Sequence, residues 1–184
     1  MRIQIRAATP EDVASIARVH VDSWRSTYDG IVPAEYLAGL SYQSRESLWK
    51  EALTTDRPGT SYFVAETQGG DTVGFANSGP EREGDITYRG ELYAIYLLEA
   101  YQHMGLGRRL FSSVTRRLLS DGFNSMLLWV LEDNRPACRF YESLGGERVG
   151  RKIVTIGGID LVEVSYGWRG IFDLIDLRAD AGKL

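Results

Sequence analysis

Gly105 and Gly107, followed at once by Arg108 and Arg109, are residues whose types and spacing could do chemistry. They sit where an apolar run gives way to a helical pattern. The first amides of a helix lack intrahelical partners, and the helix dipole adds about half a positive charge there. Glycines let the backbone come close to an anion, and adjacent arginines add charge. The spacing excludes two common phosphate sites. A dinucleotide fingerprint would need a third glycine where Leu110 stands, and a P-loop would need Gly-Lys-Ser/Thr. The same residues also suit a plain strand–helix joint eased by glycine. In a chain with 20 glycines, G-x-G alone does not separate the two.

The elements around this turn read clearly. Residues 91–98 are nearly all apolar or aromatic, as in a strand buried on both faces. Leu106, Leu110, Val114 and Leu118 then form a helical stripe with arginines and serines opposite. Upstream, Ile3 and Ile5 alternate with polar residues in a short strand, and Thr9-Pro10-Glu11-Asp12 opens a helix. Val13, Ile16, Ala17, His20 and Trp24 mark its buried face, so His20 reads as a packed histidine. A second helical stretch runs from Pro33 to about Leu53, with Tyr36, Leu37, Leu40, Leu48 and Leu53 as its apolar residues.

A hairpin over residues 61–77 turns at Gly69-Gly70-Asp71, and a polar loop over 79–90 leads into the central strand. Beyond Gly122 come a buried strand ending at Leu131 and a helix opened by Asp133-Asn134-Arg135-Pro136 and closed by Gly145-Gly146. A second hairpin then turns at Gly157-Gly158. Residues 170–184 are a tail without an assigned element. The whole reads as one domain over residues 1–184, a mixed sheet with helices on both sides.

Composition narrows the function. The chain of 184 residues is 43% hydrophobic and 25% charged, enough for one full core. A net charge of −4 gives no nucleic-acid footprint. The single cysteine, Cys138, allows no internal disulfide, and with His20 and His103 it makes no ordinary metal site. No apolar run approaches a membrane span, and Met-Arg-Ile-Gln-Ile-Arg has no signal-peptide core. A soluble, cytoplasmic protein without a metal is expected.

Gln102 extends the turn to Q-x-x-G-x-G, and residues 128–146 carry L-W-V-L-E-D-N-R-P-A-C-R-F-Y-E-S-L-G-G. These two motifs, in this order, resemble the GNAT superfamily of N-acetyltransferases, and the element order agrees over most of the chain. The resemblance implies an α+β fold: a mixed, mostly antiparallel sheet flanked by helices on both faces, with strands 4 and 5 splayed for acetyl-CoA. The backbone of Ile95, Tyr96 and Leu97 would then pair with pantetheine. Amides from His103, Met104, Gly105, Leu106, Gly107 and Arg108, after Gln102, would hold the pyrophosphate. One of Arg108 and Arg109 would remain on a solvated helix face.

The resemblance also implies roles. Asn134 matches a residue that holds the cofactor arm, and as an asparagine before a helix it also suits a cap. Tyr141 matches a general acid that would protonate the departing thiolate, and it also suits a core position beside Phe140 and Leu144. For the base, Trp129 stands where some members carry a carboxylate, which leaves Glu91 at the head of the central strand, or a chain of waters. A strand-end surface glutamate is an equal reading of Glu91. Trp24, Tyr28, Tyr93 and Tyr166 would line the acceptor pocket or pack as core, and Cys138 would be structural. The activity implied is transfer from acetyl-CoA to a primary amine, on a small molecule or a protein, by direct attack in a ternary complex. A CoA-binding sensor or partner module without transferase activity is the rival, and a homodimer is left open.

Overall fold

The computed structural model describes residues 2–176. Seven strands form one sheet in the order β1-β2-β3-β4-β5-β7-β6. In chain order these are β1 (Ile3–Ala7), β2 (Ser61–Thr67), β3 (Thr72–Pro80), β4 (Gly90–Leu97), β5 (Met126–Leu131), β6 (Glu147–Ile156) and β7 (Ile159–Trp168). Every neighbouring pair is antiparallel except β4 and β5, which run parallel. The sheet is therefore mixed and mostly antiparallel, as the GNAT resemblance implies.

Helices α1 (Val13–Thr27), α2 (Ala34–Ala38) and α3 (Tyr42–Thr54) cover one face. Helices α4 (Leu106–Ser120) and α5 (Arg135–Ser143) cover the other. Alternation along the strands divides the core between them. Val64 and Phe75 pack with Ile16, Ala17 and Trp49, whereas their neighbours Ala65 and Ala76 pack with Leu110, Phe111 and Val114. The α4 stripe of Leu106, Leu110, Val114 and Leu118 is fully buried, and the helix begins directly on the glycine turn.

Several elements differ from the sequence reading. A 3₁₀ turn, Pro10–Asp12, precedes α1. The stretch from Pro33 splits in two. The Gly39 amide closes α2 on the Glu35 carbonyl at 3.0 Å, and the Ser41 hydroxyl accepts from the Ser44 amide at 3.2 Å to start α3. Trp49, not Leu48, is the buried residue of α3. β3 continues to Pro80, three residues past the expected end, because Ser78 to Pro80 still pair with β4. The tail left unassigned also contributes: Ile171 is fully buried in the α4 core, and its amide donates to the Asn124 carbonyl at 3.1 Å. Residues 177–184 of that tail lie outside the described residues.

The entry to α1 is tied to β1 and β2 by charge. Arg6 donates to both oxygens of Asp12, at 2.7 and 2.8 Å, and also to Glu66 at 2.5 Å, while the Thr9 amide donates to Asp12 at 2.8 Å. These bonds, Arg6 foremost, hold the buried Asp12 carboxyl below its ordinary 3.8. A depressed carboxylate stabilises the fold above its unfolded pKa and loses that contribution as pH falls through the folded one. Asp12→Asn is therefore expected to cost about 2 kcal/mol at pH 7. Urea melts should show this cost shrinking as the pH is lowered below 3.8.

Candidate active site

The site begins where β4 and β5 part. They pair at only two positions, Gly90 with Met126 and Glu91 with Leu127. Just beyond, Asn77 faces Ala94 while Ser78 faces Leu92, so Tyr93 is an extra residue in β4. Such a bulge bends its strand. From Leu92 onward β4 is paired on the β3 side alone. Its other edge presents unpaired backbone groups to a cleft of about 780 Å³.

The glycine turn closes one end of the cleft. Gln102 Nε2 donates to the Leu97 carbonyl at 3.3 Å, folding the loop back on β4. His103 has φ of 59°, the only positive value for a non-glycine among the described residues, and Gly105 follows at 76°. Left-handed residues here turn the backbone into α4, and Gly105, Gly107 and Arg108 at its start line the cleft. Gly107 serves close approach instead: a Cβ there would lie 3.3 Å from the Phe140 ring. The two arginines divide their work. Arg108 lines the cleft, whereas Arg109 donates to the Ile3 carbonyl at 2.8 Å and pins α4 to β1. Met104 is exposed and Leu106 is a core residue, and neither side chain lines the cleft.

Asn134 and Tyr141 stand on the facing wall, at the start and on the inner face of α5. Asn134 is buried and caps the helix, its Oδ1 accepting from the Ala137 amide at 3.3 Å. Tyr141 is buried, and desolvation holds its phenol well above the ordinary tyrosine range, in the protonated form. Across the cleft the Tyr28 and Tyr96 hydroxyls are 3.3 Å apart, and burial raises both phenols. Tyrosine hydroxyls thus reach the narrow part of the cleft from α5, β4 and the end of α1. Cys138 is buried, its thiol raised by desolvation and directed at the Leu131 and Glu132 carbonyls, both 3.8 Å away.

A smaller chamber of about 230 Å³ adjoins the cleft and shares Tyr28, Tyr93, Tyr96 and Trp129 with it. Trp24 is also in its wall, so three of the four expected acceptor-pocket residues, Trp24, Tyr28 and Tyr93, meet here. Tyr166 does not. Alternation puts it with Val164 and Trp168 on the α4 and α5 face, where it donates to Glu142 at 2.7 Å.

Of the two readings of Glu91, the surface one does not hold. It is buried in the chamber wall rather than surface-exposed, and its carboxylate accepts from Arg82 Nε at 3.0 Å, from Arg82 Nη2 and from the Arg82 amide at 3.2 Å. Three N–H donors thus already occupy this carboxylate. Sequence reasoning missed Arg82, Lys152 and Glu163, which complete the chamber. The available signal was Glu163 in the apolar run Leu161-Val162-Glu163-Val164, the same signal that singled out Glu91. His20 packs against Tyr96 and Phe75 and accepts from Trp49 Nε1 at 3.1 Å, with burial lowering its pKa to about 3.

The chain is similar to several known proteins. A family model described as the Acetyltransferase (GNAT) family matches residues 15–146. YuaI, an uncharacterized N-acetyltransferase of Bacillus subtilis, is 45% identical over 166 residues, covering 90% of this chain and 92% of its own. The spermidine N(1)-acetyltransferase of Thermoplasma acidophilum is 26% identical over 147 residues, covering 79% and 88%. The crystal structure of PaiA N-acetyltransferase from Thermoplasma acidophilum, in complex with coenzyme A, shares the fold. Its TM-score is 0.65 at 22% identity, over 89% of this chain and 98% of that one. Among the described residues no helix is long and apolar enough to cross a membrane.

The Glu91–Arg82 pair carries a stability consequence. Removing Arg82 leaves a buried carboxylate without its partner, a loss moderated because Arg82 itself is more than half exposed. Arg82→Ala should lower unfolding free energy at pH 7 by about 2 kcal/mol in urea titration. Glu91→Gln, which removes the charge itself, should cost less.

Proposed function

The chain belongs to the acetyltransferase (GNAT) family, and we propose that it transfers an acetyl group from acetyl-CoA to a primary amine by direct attack in a ternary complex. The parting of β4 from β5 carries this reading, because it places an unpaired strand edge, a helix start and Tyr141 around one cleft. The residues present fit coenzyme A. Gly107 leaves space that any side chain would fill, the backbone at Ile95, Tyr96 and Leu97 borders the cleft, and Arg108 adds charge at the turn.

In this reading the amides of His103, Met104, Gly105, Leu106, Gly107 and Arg108, with Gln102 bracing the loop, bind a diphosphate where α4 begins. The edge of β4 orients an extended amide-bearing arm as an added strand would. Asn134 fixes the far side of that arm with its Nδ2 while its Oδ1 caps α5. When bound, acetyl-CoA supplies a thioester whose carbonyl carbon accepts the amine nitrogen while the C–S electrons leave on sulfur. Tyr141 holds a proton on its buried hydroxyl and gives it to that sulfur. Trp24, Tyr28 and Tyr93 exclude water from the acceptor side and shape it for an alkyl chain. The spermidine acetyltransferase of Thermoplasma acidophilum supports a small-molecule amine as acceptor ahead of a protein amine.

Release of free thiol from acetyl-CoA with a panel of amines tests the activity. Tyr141→Phe should lower turnover on the order of 100-fold while calorimetry finds acetyl-CoA affinity nearly intact; unchanged turnover removes the acid role. Gly107→Val should act oppositely. The added branches meet Phe140 and Leu97, and affinity for coenzyme A should drop at least about tenfold with the circular dichroism spectrum retained.

A further inference from the structure

The chamber beside the cleft has a wall that the proposed function does not use. Glu163 projects into it from β7, opposite Leu131 of β5 and Lys152 of β6. Its carboxylate is the more loosely held of the two in that wall. Glu91 is saturated by Arg82, whereas the nearest cation to Glu163 is the Lys152 ammonium, 3.8 Å away and bonded instead to Glu83. Lys152 also shows what this wall does with an alkylammonium. Its Nζ lies 3.9 Å from the Trp129 ring centroid, between that aromatic face and two carboxylates.

We propose that the chamber selects an acceptor bearing a primary alkylammonium, and that Glu163 is the catalytic base that receives this cation and removes its proton. The inference rests on the acetyltransferase reading and assigns its acceptor site. Tyr28, Tyr93, Tyr96, Trp129 and Val130 line both cavities, so an amine seated against Glu163 lies next to the cleft. The chamber lining sets two carboxylates against two cations, but Arg82 is committed to Glu91 and Lys152 bonds Glu83 outside the lining, which leaves Glu163 to meet an incoming cation.

Glu163 Oε2 takes one proton from the ammonium and leaves a neutral amine with its lone pair free. The second proton, lost as the C–N bond forms, passes to solvent, and the Tyr141 phenolate left after protonating sulfur regains a proton from solvent. Glu163 returns its proton to solvent. The groups facing it are Lys152 on β6, Glu83 and Arg82 from the loop before β4, and Tyr93, Tyr96 and Glu91 on β4. Desolvation, ahead of Lys152, raises the Glu163 pKa above its ordinary 4.5 and makes it a stronger base than a surface glutamate.

The test compares wild type with Glu163→Gln, an isosteric change at a partly exposed position. The probe is 1,5-diaminopentane. In the thiol-release assay, kcat/KM at pH 7 is expected to fall on the order of 100-fold. The deficit should narrow as pH rises towards the amine's own pKa of about 10, where no base is needed. Affinity for coenzyme A, by calorimetry, should stay unchanged. Independently of turnover, diamine binding to the coenzyme A complex, followed by tryptophan fluorescence, should weaken at least about tenfold. Wild-type rate, pH profile and diamine affinity in the variant overturn the assignment of Glu163 alone. A wild type that releases no thiol with any amine overturns the transferase reading. In that case diamine binding still decides the cation site: binding that depends on Glu163 supports it, and equal or absent binding removes it.

Discussion

The structure depends on one unmade set of hydrogen bonds. A sheet gains by pairing every strand edge, yet β4 and β5 stop pairing after two positions. The bulge at Tyr93 bends β4 where the ladder ends, and hydrophobic packing on both faces keeps the strands from closing again. The α4 stripe holds Leu92, Met126 and Leu128 from one side. Ile16, Trp49 and Phe75 hold the β3–β4 region from the other. The opening is thus an outcome of packing, available before any ligand arrives, and the ordering cost of binding falls accordingly.

Around that opening the chemistry is sorted by face. The glycine turn, Arg108 and the free strand edge form one arm, built largely from backbone. The aromatic chamber with Glu163 forms the other, built from side chains on the α1–α3 face. Tyr28, Tyr96 and Tyr141 stand at the junction, all with burial holding their phenols protonated. Backbone recognition suits a constant ligand, and side-chain recognition allows a variable one. An enzyme family that keeps one donor and changes acceptors needs that division.

Much of this was legible because it is local. The strand, the glycine turn and the α4 stripe occupy consecutive residues, so composition and period reveal them. Asn134 was legible as a cap for the same reason. The break between α2 and α3 was less so, because Gly39 and Ser41 lie inside an otherwise helical pattern. The bulge at Tyr93 left no trace in the sequence, since only the register of β3 against β4 defines it. Tyr166 and Glu163 teach a sharper lesson. They lie three residues apart on one strand and therefore on opposite faces, so placing either side chain required knowing which parity faces α1. Glu91 looked like a base because it is a carboxylate in an apolar run; its partner Arg82 sits in a loop whose path the sequence does not disclose.

The core of α4 has a consequence for how the nascent polypeptide matures. Arg109 grips the Ile3 carbonyl near the start of the chain, and Ile171, synthesised more than 160 residues later, fills the same helix's packing surface. Two segments far apart in sequence are thus clasped by one element that lies between them. Until Ile171 docks, that surface stays unfilled. Contacts between residues so far apart in sequence close late in folding, so the α4 core is completed in one late step rather than piece by piece.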